Sequence, residues 1–465
     1  MRARSISLLL LTWLGAAPAV AQPNPSTDKA PANKPPPDKP IADKPTADKQ
    51  PSDKPAAGKP PAGALTLEAR IKALEIDLED VKGANDDLKS ELADLKAQQA
   101  ASKPPTSLNA LNPQITAFLN GAMRIDDKQV LTPHGVAIDD RPFLRTAELD
   151  FRAAVDPYAD AVAILALEDQ AGDGFGADVE EGYVVIKRLP ILESAPLGLK
   201  LKIGRYRAPI GNVNRLHMHD LPWTTRPLPI SRLLGTENGE FFESGYNPVG
   251  VDAEVILPEI IPGAVMELNA DVVDGGSIAV SDGSHDHPGY LGHYNLFFTV
   301  HDTHDVNLGV SGYYEAGAHR TGLVGVDALY KWKPLAAGEF NSVVIGGELF
   351  YANRKFAADT NGDGIPDVER QTAPLAGFGF AQVQLSWHVY LGGRYDYVQD
   401  ITNANLTTQV AAGYLSYYTS EFLRFRAGYE HRWSDVPADN GVNSFIAEVN
   451  VVFGSHPTEP YWVNR

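Results

Sequence analysis

Cysteine is absent from this chain, so neither disulfide staples nor thiolate metal sites can hold it together. Positive charge is also short. Lys and Arg number 40 against 59 Asp and Glu, and the formal net charge of -19 excludes a general nucleic-acid binder, whose surface must neutralise phosphates. After the first twenty residues no apolar run is long enough for a transmembrane helix. No Gly-x-Ser-x-Gly elbow, phosphate-cradling glycine loop or HExxH signature occurs, so no enzyme is indicated. Glycine (41), tyrosine (18) and phenylalanine (17) are plentiful, and only 21% of residues are charged. At 465 residues the length alone suggests two or three domains, but this composition suits one long all-β barrel.

The N-terminal fifth is built from three unlike pieces. Residues 1–21 carry Arg2 and Arg4, an apolar core around Leu8 to Leu14 and the small-residue stop Ala19-Val20-Ala21, which together read as a secretory signal peptide. Residues 22–63 repeat units such as Pro37-Asp38-Lys39-Pro40 and Ser52-Asp53-Lys54-Pro55. Proline at that density predicts a disordered Pro/Lys/Asp-rich linker of polyproline II character, either a spacer reaching toward peptidoglycan or a solvated tail. Within 64–101, Ile71, Leu78, Asn85 and Leu92 fall at a, and Leu74, Val81, Leu88 and Leu95 at d, of a heptad seam that Leu67 extends. So narrow a stripe requires further copies of itself, which predicts an oligomerising coiled coil, dimeric or trimeric, in the periplasm.

From 112 to 453 the expected fold is a sixteen-stranded antiparallel transmembrane β-barrel, followed by a tail over 454–465. Alternation carries that reading. Leu423, Phe425, Ala427 and Tyr429 oppose Arg424, Arg426 and Glu430, and Ala447, Val449, Val451 and Phe453 oppose Glu448 and Asn450. A soluble sandwich alternates too, but the signal peptide, aromatic residues such as Tyr330, Trp332, Tyr395 and Tyr397, and connections that alternate between short and long favour a barrel in the outer membrane. The longest connection, from Ala208 to Asn247, is too long to be structureless in a compact domain.

For a pore, chemistry means the charges along the wall. Alternation puts Lys200, Lys202, Arg424 and Arg426 inside, and the long loop adds Arg215, Arg226 and Arg232, a set suited to a constriction that passes small solutes, phosphate or other anions among them. Many carboxylates also point inward, on strands that are largely separate from the basic ones. No cofactor is required. The segment from Asp359 to Glu369 resembles part of a calcium loop, with Asp359, Asn361, Asp363, Ile365, Asp367 and Glu369 as candidate Ca2+ ligands. His285-Asp286-His287, the run from His301 to Asp305, and His217 with His219 carry metal-type side chains, but in turns and loops with no fixed scaffold.

Three stretches resemble the phosphate-selective porin O and P family: Glu180-Glu181-Gly182-Tyr183-Val184, the run from Leu201 to Gly211, and the arginine-bearing loop through Arg226-Pro227-Leu228-Pro229 and Arg232-Leu233-Leu234-Gly235. The resemblance covers roughly Phe143 to the end and is sharpest between Glu180 and Gly250. It implies a trimeric sixteen-stranded porin whose third outer loop folds into the lumen. Ile210 stands where an aromatic is usual, and the barrel is acidic, unlike the family pattern. The expected function is therefore an outer-membrane porin, homotrimeric and surrounded by lipid. Its alternative is a structural anchor joined to the cell wall through the coil and linker.

Overall fold

The computed structural model describes residues 113–454 except 133–134, 170–173, 189–194, 236–238, 243–244, 284, 318, 336–339 and 359–366. The expected signal peptide, linker and coiled coil lie outside the described residues, as does the tail from 455 onward.

The chain forms an antiparallel barrel whose strands follow one another in sequence. They are β1 (Gln114–Asp126), β2 (Pro142–Ala154), β3 (Ala159–Asp169), β4 (Phe175–Ile186), β5 (Lys200–Arg205), β6 (Val249–Ile256), β7 (Ala264–Val273), β8 (Gly289–Val300), β9 (His304–Glu315), β10 (Thr321–Trp332), β11 (Ser342–Ala358), β12 (Leu375–Gln384), β13 (Val389–Gln399), β14 (Thr407–Ser420), β15 (Leu423–Ser434) and β16 (Val442–Gly454). The sheet has 17 segments but sixteen staves, because the short piece Val368–Thr372 and β12 both pair with β11. Closure comes from β1 on β16, in register from Thr116↔Gly454 to Asp126↔Ser444. Each of the sixteen staves hydrogen-bonds to a stave on either side, so the sheet closes without an edge strand, although β4 above Gly182 has no partner on the β5 side.

Alternation sorts the faces as expected. On β15, Phe425, Tyr429 and Trp433 face outward and are exposed, whereas Arg424, Arg426, Glu430 and Arg432 face inward and are buried. Outward aromatics gather at two levels. Trp387 and Tyr417 lie near the end where β1 begins, and Tyr290, Tyr314, Tyr429 and Trp433 lie toward the other end. These are the girdles of a barrel whose apolar band faces lipid, and they define the class: a membrane-spanning β-barrel.

Connections after even-numbered strands are mostly brief, as at 155–158, 301–303, 385–388 and 421–422. Those after odd-numbered strands include 127–141, 206–248 and 274–288, although 170–174 and 316–320 are short. β5, at 6 residues, stops well below the rim reached by the 12 residues of β4. The chain therefore leaves the wall at mid-height, inside the cylinder. Two glycines allow the departure. At Gly204 (φ 139°) a Cβ would lie 2.2 Å from the Gly182 carbonyl oxygen, and at Gly211 (φ 63°) it would lie 2.3 Å from the Glu348 carboxylate.

Because Val326 on β10 is 51% exposed on the outer face, Val326→Arg should cost about 2–4 kcal/mol if it lies near the bilayer midplane. Urea titration of the barrel refolded in liposomes measures this, and a cost near zero would place that face in water.

Candidate functional site

Loop 206–248 crosses the bore instead of leaving it. Its own apolar residues, among them Ile210, Met218, Leu221, Trp223, Leu228, Ile230 and Leu233, are buried in one cluster with inward side chains of the wall such as Tyr313, Val344, Phe350, Phe378 and Tyr414. Phe241 and Phe242 on the returning arm pack separately against Phe143, Val442 and Ile446. One wide helical turn, Ile230–Leu234, closes on a hydrogen bond from Gly235 N to Ile230 O of 2.7 Å. Asn214 ties the neck, donating to the carbonyls of Ala208 and Tyr246 (2.9 Å each) and accepting from Tyr246 N at 2.8 Å.

The loop's backbone is satisfied by charges on the wall. On the first arm, Asn212 N and Val213 N both donate to Glu348 Oε1 at 2.8 Å, and Gly211 N donates to Ser311 Oγ at 3.0 Å. Tyr206 Oη reaches Asp271 at 2.8 Å, and Asn212 Nδ2 reaches Asp327 at 2.5 Å. In the middle, three consecutive carbonyls each receive an arginine from a different strand. Arg426 Nη1 donates to Trp223 O (2.6 Å), Arg145 Nη1 to Thr224 O (2.5 Å) and Arg394 Nη1 to Thr225 O (2.6 Å). Leu228 N donates to Asp396 at 3.1 Å, and the Thr225 hydroxyl donates to Glu430. Behind the arginines, Glu448 meets Arg145 at 2.6 Å, Arg424 at 2.7 Å and Arg426 at 3.5 Å, all buried.

The expected pore cations divide into two groups. Arg226 is fully buried and donates to Leu216 O (2.7 Å) and Val213 O (3.4 Å), so it holds the loop's own fold. Arg424 and Arg426 are closed off within the Glu448 cluster. Partial exposure remains for Lys200, paired with Glu254 at 2.6 Å, Lys202, 4.0 Å from Asp252, Arg215, paired with Glu267 at 3.3 Å, and Arg232, 3.9 Å from Asp439. Arg232 lines a cavity of about 710 Å³ with Glu240, Asp400 and Asp439. The water expected around inward charges is thus replaced, at the level of the loop, by packed side chains. A loop that carries this many large apolar residues is driven to bury them, and the wall's charges take up its polar backbone.

Of the candidate calcium ligands, Asp359, Asn361, Asp363 and Ile365 lie outside the described residues. Asp367 donates its backbone N–H to Ala358 O at 3.0 Å, and the Glu369 carboxylate is paired with Lys355 Nζ at 2.9 Å.

A second constellation was not expected to have a scaffold. His217 and His219 are buried against β2 and β4. His217 Nδ1 lies 2.6 Å from Glu180 and 3.5 Å from Glu148, His217 Nε2 lies 2.7 Å from Glu181, and His219 Nδ1 lies 3.2 Å from Glu148. His219 also stacks on Phe118 at 3.9 Å between centroids. Both histidines lie outside the spanning strands. Burial and Arg207 oppose protonation of His217, yet Glu180 and Glu148 outweigh them and raise its pKa well above the ordinary histidine range. The glutamates reach the site through a β-bulge. β3 pairs Ile164 with Glu181 and Leu165 with Val179, so Glu180 is the extra residue and two successive glutamates face inward. Arg145 sits at a second bulge, where Asn120 pairs with Thr146 and Gly121 with Leu144.

No protein-family model matches the chain. It is similar to an uncharacterized protein of Aquifex aeolicus (strain VF5), 24% identical over 370 residues that cover 70% of this chain and 72% of that protein. Among solved structures, the outer membrane channel DcaP of Acinetobacter baumannii is similar at TM-score 0.48 and 11% identity, over 75% of this chain and 99% of that one. The anion-selective porin from Comamonas acidovorans gives 0.47 and 10%, over 73% and 99%. Salmonella typhi OmpF in complex with daunomycin gives 0.48 and 12%, over 75% and 99%. At those scores none bears on what this barrel does.

Glu448→Gln leaves three buried guanidiniums without their shared counter-charge, and should destabilise the barrel by about 3–5 kcal/mol in urea titration. A cost below about 1 kcal/mol would mean that water, and not the loop, surrounds this cluster.

Proposed function

We propose that the chain is an outer-membrane porin of a Gram-negative bacterium, passing small solutes by passive diffusion, with loop 206–248 as its constriction. The observation that carries this reading is a lipid-facing closed cylinder with charges turned inward and one loop entering its bore at mid-height. Lys200, Lys202, Arg215 and Arg232 retain exposure, so small anions, phosphate included, are the solutes this reading favours. A homotrimer in lipid belongs to the same reading and is supported by the heptad seam over 67–95. Calcium at 359–369 would brace an outer connection, and calorimetry with calcium chloride tests it.

One observation favours a second reading. The loop's residues from Trp223 to Leu234 are almost entirely buried, as they would be in a plugged barrel that serves as an outer-membrane anchor joined to peptidoglycan through the coil and linker. Planar-bilayer recordings separate the two: discrete channels support the porin, and a silent barrel that sediments with peptidoglycan supports the anchor.

For the porin, the double variant Arg215→Ala and Arg232→Ala should move the reversal potential in asymmetric potassium chloride toward cation preference. An unchanged potential would remove these arginines from solute selection.

A further inference from the structure

The Glu148, Glu180 and His217 side chains, brought together from β2, the bulge of β4 and loop 206–248, each offer one ligand atom, and these atoms all lie within 4.8 Å of one another. All three residues are buried. Their hydrogen bonding is incomplete in an informative way. Glu148 Oε2, Glu180 Oε1 and His217 Nδ1 have no hydrogen-bond partner, although Nδ1 stands only 2.6 Å from Glu180 Oε2. The other ring nitrogen is well placed, with Nε2 2.7 Å from Glu181 Oε1. Donation from Nε2 to Glu181 leaves Nδ1 aimed at the other two carboxylates. Nδ1 at 2.6 Å and Arg207 Nη2 at 3.4 Å both face Glu180 Oε2. Glu148 Oε2, 3.5 Å from Nδ1, is by contrast a buried oxygen left without a hydrogen-bond partner, and an ion between the three donors would engage it.

We propose that Glu148, Glu180 and His217 form a binding site for a divalent transition-metal cation of the zinc class, with Glu181 orienting the imidazole from behind. The mixed nitrogen and oxygen donors suit zinc or a neighbouring first-row metal better than calcium or magnesium, which take oxygen alone. A carboxylate that accepts the far N–H of a ligating histidine is the usual outer support of such a site. One added ring proton on His217 could serve Glu180, but it would leave the unpartnered oxygen of Glu148 as it is, whereas an ion at the centre engages all three donors. His219, 3.2 Å from the other oxygen of Glu148, holds that carboxylate in place. The ion would clip the loop to two strands of the wall, whether or not the barrel conducts.

The test is calorimetry with zinc chloride on the full chain, purified in detergent and freed of metal by chelator, with folding verified by heat-modifiable gel migration. The wild type should bind a single zinc ion per chain with this site's dependence on its residues. His217→Ala and the isosteric double variant Glu148→Gln with Glu180→Gln should lose that binding. Glu181→Gln should weaken it by about tenfold to a hundredfold. Absence of zinc binding by the folded wild type, or equal binding by the folded double variant, would overturn the proposal.

Discussion

Three arginines from three strands hold three consecutive carbonyls of one loop, and the interior of this barrel depends on that contact. Arg426, Arg145 and Arg394 reach the oxygens of Trp223, Thr224 and Thr225 from β15, β2 and β13. A buried guanidinium needs acceptors for its donors, and a loop buried away from water needs partners for its backbone. Each need meets the other here. Glu448 supplies counter-charge to two of these arginines and to Arg424, so the carbonyls are held by a cluster already compensated in charge.

The same logic runs in reverse on the loop's first arm. There the loop presents N–H groups and the wall presents acceptors: Asn212 and Val213 to Glu348, Gly211 to Ser311. Acidic and basic residues share strands, Arg394 with Asp396 on β13 and Arg424 and Arg426 with Glu430 on β15. One stretch of wall thus serves both polarities of the loop backbone, Arg394 at Thr225 O and Asp396 at Leu228 N, and the expected separation of acidic from basic strands is not found. Beside these contacts lies an apolar cluster that includes Trp223. The loop is thus a small core folded inside a membrane barrel.

The barrel was largely legible in the sequence because side-chain alternation, the simplest signal a strand emits, persists wherever one face meets lipid and the other does not. All sixteen staves appear in the expected order, with the starts and ends of several, such as β4 from Phe175 and β11 to Ala358, displaced. The site was less legible for two physical reasons. Arg145 and Glu180 are extra residues at β-bulges, and a strict period of two assigns Arg145 to the outer face and cannot turn both Glu180 and Glu181 inward. Second, the scaffold for His217 comes from residues distant in sequence, which no local spacing reports. The arginines Arg226, Arg424 and Arg426 show the complementary error. Alternation and loop membership locate them inside, but not whether water or carbonyls surround them there.

The most direct test of this account is the conductance of the reconstituted full chain beside a variant in which residues 212–244 are replaced by a short Gly-Ser link. If the loop fills the bore, the shortened form conducts several-fold more than the wild type in the same salt, while its barrel still migrates as folded. Equal conductance in the two folded forms would show that the loop does not occupy the path, and would contradict the arrangement on which the rest is built.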